Sequence, residues 1–215
     1  MKRALKKKVG IVGRKVGMTQ IFSDRGEQVP VTVIKAGPCL VVAKRVTATD
    51  GYEAVQIGFE EVTRKKGVNK PRAGTFKKAG VPPQRSISEV RDMDPEAYEV
   101  GQALKADLFQ VGELVVVQGI SKGRGFAGGV KRHGYAGGKA SHGSMFHRAP
   151  GSIGAAAWPS RVFKGKRLPG HMGNEKVSVK NLTVMGVDPE KDLILVKGAV
   201  PGPISGMVLI PAERE

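Results

Sequence analysis

The residues Gly123-Arg124-Gly125-Phe126-Ala127-Gly128 spell G-x-G-x-x-G behind an expected strand. Backbone N–H groups in such a loop can approach a phosphate closely. In a dinucleotide enzyme the pattern opens a helix, and an acid for the ribose follows about 20 residues on. Here seven more glycines follow by Gly154, so no helix is expected, and the next acid is Glu175. The motif therefore reads as a flexible loop laid against phosphates, and a nucleotide-dependent enzyme is the alternative from another class. All four histidines, His133, His142, His147 and His171, lie in residues 121–173. They lack H-x-x-x-H spacing, a second cysteine and a local carboxylate, so neither a metal nor any other cofactor is expected. Imidazoles bonding to phosphate oxygens or stacking on bases fit better. Ser141, Ser144 and Ser152 lie near histidines in sequence without an orienting acid, and no G-x-S-x-G occurs, so no catalytic residue is expected. Trp158, in a Gly- and Ala-rich basic context, suits stacking or wedging against RNA, in company with Phe126, Tyr135, Phe146 and Phe163. Cys39, the single cysteine, excludes an internal disulfide framework and reads as a small buried hydrophobe.

The elements that must hold these residues are set by charge and pattern. The chain has 215 residues, 36 Lys+Arg, 19 Asp+Glu and a net charge of +17. Its length suits one large domain or two small ones. A hydrophobic share of 40% supports a core. No apolar run reaches the roughly 18 residues of a transmembrane helix, and the basic N-terminus lacks a secretion signal's apolar stretch. A soluble, intracellular protein is expected.

The positive charge is localised. Residues 1–8 hold five Lys/Arg, residues 62–88 hold eight and residues 121–173 hold ten, with no acid in any of them. The remaining residues hold 13 basic and 19 acidic side chains. Three acid-free segments thus carry the whole excess on a mildly acidic remainder. Solvated charged faces normally interleave both signs. Like charges without counter-charges favour a polyanionic partner. An anionic membrane is disfavoured, because these Gly- and Pro-rich segments make no amphipathic helix.

The remainder reads as β structure. Residues 29–34 alternate with β-branched prominence, and further strands are expected at 40–43, 52–59, 113–120, 176–187, 193–197 and 207–210. Gly37-Pro38, the hairpin dipeptide Asp50-Gly51, Asp188-Pro189 and Pro201-Gly202-Pro203 punctuate them. Residues 94–108 offer the best helix, weakened by Pro95 and Gly101. Short strands with close turns suggest a barrel or sandwich. The expected division is a basic tail at 1–8, a body at 9–61, 89–120 and 174–215, an insertion at 62–88 and an excursion at 121–173. Paired out and back, that excursion spans at most roughly 85 Å.

Longer motifs resemble one family. The runs GISKGRGFAGGVKR at 119–132, HRAPGSIG at 147–154 and VFKGKRLPGHMG at 162–173 closely resemble the signature of the large-subunit ribosomal protein three family. The run GIVGRKVGMTQIF at 10–22 looks like the family's first hairpin, and LVKGAVPG at 195–202 matches as well. The likeness runs from about residue 9 to 204, and the compact length resembles the bacterial branch. It implies a mainly β fold: a translation-protein-type β-barrel with a long irregular extension in large-subunit rRNA and a smaller basic insertion. It further implies early subunit assembly, an extension running toward the peptidyl transferase centre with residues 151–161 near its tip, and neighbouring large-subunit proteins in a cytoplasmic ribosome. No membrane and no independent homo-oligomer are expected. Two positions depart from the pattern: Val116 replaces the usual Asp or Asn, and Ala155 stands where some members carry a methylated glutamine.

The expected rRNA-binding side chains are Lys122, Arg124, Lys131, Arg132, His133, Lys139, His142, His147, Arg148, Trp158, Arg161, Lys164, Lys166, Arg167 and His171. Lys65, Lys66, Lys70 and Arg72 join them from the insertion. Close backbone approach to RNA is expected at Gly123, Gly125, Gly128, Gly151 and Gly154. A free RNA chaperone or translation-associated factor is the alternative within RNA binding.

Overall fold

The computed structural model describes residues 10–23, 25–63, 68–91 and 93–211. The chain splits into two compact units, Met1–Ile120 with Lys176–Glu215, and Ser121–Glu175. The tail at 1–8 and the lysines Lys65 and Lys66 lie outside the described residues.

In the first unit, six strands close into an antiparallel barrel. They are β1 (Ile11–Phe22), β2 (Gln28–Ala36), β7 (Leu114–Ile120), β10 (Lys176–Asp188), β11 (Leu193–Lys197) and β12 (Met207–Ile210). Around the barrel the order is β1, β12, β7, β10, β11, β2 and back to β1. Closure leaves these strands without the long free edges that invite aggregation. Residues 10–22, expected as a hairpin, are one strand plus its lead-in. The hairpin forms between β1 and β2, with Phe22 opposite Gln28.

Strands β3 (Cys39–Arg45), β4 (Ala54–Glu61), β5 (Gln84–Arg91) and β6 (Ala103–Leu104) form a separate sheet in the order β5-β4-β3-β6. The stretches expected as strands at 40–43 and 52–59 therefore stand beside the barrel instead of in its wall. Ile11, Ile34, Val117, Ile194 and Ile210 from the barrel share one buried cluster with Val41, Val55, Ile57, Phe59 and Leu104 from the sheet. Each contributes its inward residues at the two-residue strand period.

Local chemistry explains where the pattern-based expectations changed. Asp50-Gly51 closes no tight hairpin; it ends a one-turn helix, α1 (Thr47–Asp50), with Gly51 in the left-handed region. The Thr49 hydroxyl and the Arg45 guanidinium hold the Asp50 carboxyl below its ordinary range. Residues 94–108 make no helix. They form 3-10 turns at Pro95–Ala97 and Ala106–Leu108 with β6 between them. Backbone bonds from Val41 N–H to Gln102 O (3.0 Å) and from Gly101 N–H to Val41 O (2.8 Å) compete successfully for that segment.

The helix lies instead at α2 (Lys70–Ala79), inside the basic insertion. Asn69 caps it, its side chain accepting from the Arg72 N–H, and Gly80 ends it in the left-handed conformation. Strand β5 begins at Gln84, so the insertion is folded over much of its length. Among the described residues no helix is long and apolar enough to cross a membrane.

Candidate RNA interface

The second unit begins where β7 ends and finishes where β10 starts. It contains β8 (Phe126–Ala127), α3 (Gly129–His133) and β9 (Gly170–His171). Within it only Ala127 and Gly129 are buried. Apolar burial, the dominant favourable contribution in an ordinary domain, is therefore almost missing here.

Hydrogen bonds between its first and last stretches take the place of a core. Strand β8 pairs with β9, Phe126 opposite His171. The Arg124 N–H donates to Met172 O (2.9 Å), and the Met172 N–H donates to Gly125 O (3.0 Å). A short helix does begin after the glycine motif, contrary to expectation, with Gly128 at its N-cap. It runs five residues, and Lys131, Arg132 and His133 in its last turn complement the helix dipole. Arg132 Nη1 donates to Leu168 O (2.7 Å), and His133 Nε2 lies 3.0 Å from the same carbonyl. The Tyr135 hydroxyl donates to Arg167 O.

Two aromatic residues expected to face bases are engaged inside the unit. A Cβ on Gly129 would meet Tyr135 Cδ2 at 2.8 Å, and one on Gly138 would collide with Phe146. Those glycines are sockets for rings. Phe126, Phe163 and above all Trp158, which is 88% exposed, remain open to a partner. The Arg161 guanidinium sits 5.6 Å from the centroid of the Phe163 ring, forming a paired cation and aromatic surface.

All ten Lys/Arg of residues 121–173 are exposed: Lys122, Arg124, Lys131, Arg132, Lys139, Arg148, Arg161, Lys164, Lys166 and Arg167. The five ion pairs among the described residues, such as Arg14–Glu60 and Arg45–Asp50, all lie in the first unit. His142, His147 and His171 are exposed, whereas His133 is half-buried. Among the described residues no three His, Cys, Asp or Glu side chains gather as a metal site.

Of the five glycines singled out for backbone approach, Gly125 and Gly128 face open space. Gly125 has φ +65 and Gly151 has φ +75, so each requires a conformation that side chains resist. The Gly151 Cβ position also lies 3.2 Å from the Phe146 ring, while Gly123 and Gly154 have ordinary room.

In the insertion, Lys70 is exposed, but Arg72 is turned to a structural task. Its Nη2 donates to Gln84 O (3.3 Å) and Arg85 O (3.1 Å), tying α2 to β5. Lys77 and Lys78, absent from the expected contacts, share the exposed side of this helix with Lys70. Cap residues Asn69 and Gly80 were the available signal for that helix.

Fold and surface define a class: a β-barrel protein bearing a nearly coreless cationic segment, built to engage a polyanion. The family model described as Ribosomal protein L3 matches residues 75–193. Proteins named large ribosomal subunit protein uL3 are similar over almost the whole chain. That of Carboxydothermus hydrogenoformans is 56% identical over 204 residues, covering 95% of this chain and 96% of its own. That of Heliobacterium modesticaldum is 56% identical over 206 residues, covering 96% and 97%. That of Pelotomaculum thermopropionicum is 57% identical over 201 residues, covering 94% and 95%. The chain belongs to the ribosomal protein L3 family.

Proposed function

We propose that this protein is a structural constituent of the large ribosomal subunit in the cytoplasm. It binds large-subunit rRNA, supports early subunit assembly and sends residues 121–173 toward the peptidyl transferase centre. One observation carries the reading of the site: ten exposed cations occupy 53 residues that contain no acid. Lys and Arg neutralise phosphates, the open glycines let the backbone come close, and Trp158 and Phe163 offer faces for bases. The chain enters this segment from barrel strand β7 and returns from it into β10. The protein positions RNA and performs no catalysis of its own. It acts as a single copy among neighbouring large-subunit proteins.

Sedimentation of cell extracts tests this. The protein should co-migrate with large subunits and stay with them through a high-salt wash. Recovery in the free fraction after that wash would favour an RNA chaperone that visits the particle.

A further inference from the structure

The outer face of helix α2 works against the helix's stability. Successive residues turn by about 100° around a helix axis. Phe76, 1% exposed, is the helix's buried side chain. On the opposite side lie Lys70, Gly74, Lys77 and Lys78, all exposed, within an arc of about 100°. No Asp or Glu occurs from residue 62 to 88, and no ion pair among the described residues involves these lysines.

Two residues of this face oppose helix formation. Lys70 occupies the first turn, where the positive end of the dipole disfavours a cation. Gly74 sits mid-helix, where glycine is a poor choice. Its φ is not positive, and a Cβ there would meet nothing within 4 Å. Neither turn geometry nor packing accounts for it. Lys77 and Lys78 do suit the last turn, but the dipole explains only that half of the stripe.

Resting on the reading of the protein as an rRNA binder, we infer that α2 is a second, separately built RNA-docking element. Lys70, Lys77 and Lys78 grip the phosphate backbone of folded RNA, and Gly74 lets the helix surface come close to it. A partner of negative charge offsets both the like-charge face and the misplaced Lys70. Phe76, the Asn69 cap and the Arg72 bonds to β5 hold the helix in place while its outer face stays bare. Removing side-chain bulk between three lysines is what a close approach to a phosphate ridge requires.

The test titrates the full-length protein with transcribed large-subunit rRNA over a series of salt concentrations. The variant Lys70→Gln/Lys77→Gln/Lys78→Gln should reduce the slope of log affinity against log salt by about two to three and weaken binding about tenfold or more. Gly74→Gln keeps every charge and favours the helix. It should leave the melting temperature no lower and the salt slope unchanged, yet weaken binding several-fold. The control is Lys164→Gln/Lys166→Gln/Arg167→Gln in the other unit. If the control weakens binding while both α2 variants bind like the parent, the α2 inference is wrong and the rRNA reading stands. If all variants and the parent bind without salt dependence, the rRNA reading itself fails. Full affinity in Gly74→Gln alongside loss in the lysine variant would overturn the close approach.

Discussion

A bulge between Lys15 and Gly17 in β1 accompanies the inward placement of the Lys15 side chain. That lysine is 8% exposed and donates to Val200 O (2.7 Å) and Gly202 O (3.4 Å), holding the loop before β12 against β1. Charged hydrogen bonds of this kind contribute about 1.5–3 kcal/mol each. Lys15→Met keeps the chain length but deprives both carbonyls of that donor. It should lower the unfolding free energy by about 3 kcal/mol, read as a lower urea midpoint. Cys39 offers a second residue-scale check. Burial, with the nearby Asp192 charge adding to it, raises the thiol from an ordinary value near 9 to about 12. The folded state therefore holds its proton longer than the unfolded state, which favours folding below pH 9. That contribution is lost as pH rises from 9 toward 12. A maleimide should label Cys39 at the rate of opening or unfolding, and rapid labelling of the native protein at pH 8 would contradict this burial. At this scale the sequence marked the ten cations of residues 121–173 but not their duties. Arg132, His133, Tyr135 and Phe146 make contacts with distant glycines or carbonyls, which depend on how the segment folds back.

Among the elements, β2, β7, β10, β11 and β12 were legible because alternation and β-branched residues mark a half-buried strand directly. Helix α2 was not, since Phe76 is its single buried side chain and one anchor makes no period. Pro71 stands in its first turn, where a proline is compatible with a helix. The split into barrel and adjacent sheet was also hidden, because pairing partners are long-range choices among similar strands. The single anchor makes α2 a sharp target. Phe76→Ala should cost about 3 kcal/mol locally. Amides of residues 73–80 should lose hydrogen-exchange protection while those of β1, β2 and β11 keep theirs. Global loss of protection would show that α2 is integral to the barrel's stability. In the second unit, the bonded amides of Arg124, Gly138 and Met172 should exchange more slowly than those of residues 151–158, which have few internal partners. Uniform strong protection throughout residues 121–173 in the free protein would contradict a segment that is ordered by RNA.

For the molecule as a whole, the charge of +17 conceals a division between a mildly acidic remainder and three acid-free segments. The remainder builds the barrel and most of its adjoining sheet, which share one buried apolar cluster. Residues 121–173 have almost no core, so their like charges call for an external counter-charge. This division was legible in the sequence before any element was placed, since it needs only the positions of acids and bases. Lost counter-ions make the same division measurable. The most direct measurement is the affinity of the full-length protein for large-subunit rRNA as a function of salt, with and without the ten Lys/Arg of residues 121–173 replaced by Gln. If about ten phosphates are neutralised, log affinity should fall with log salt at a slope of roughly −7 to −9. The substituted protein, its barrel intact by circular dichroism, should show a much shallower slope. Nearly salt-independent binding by the parent, or an unchanged slope after the substitutions, would contradict the account.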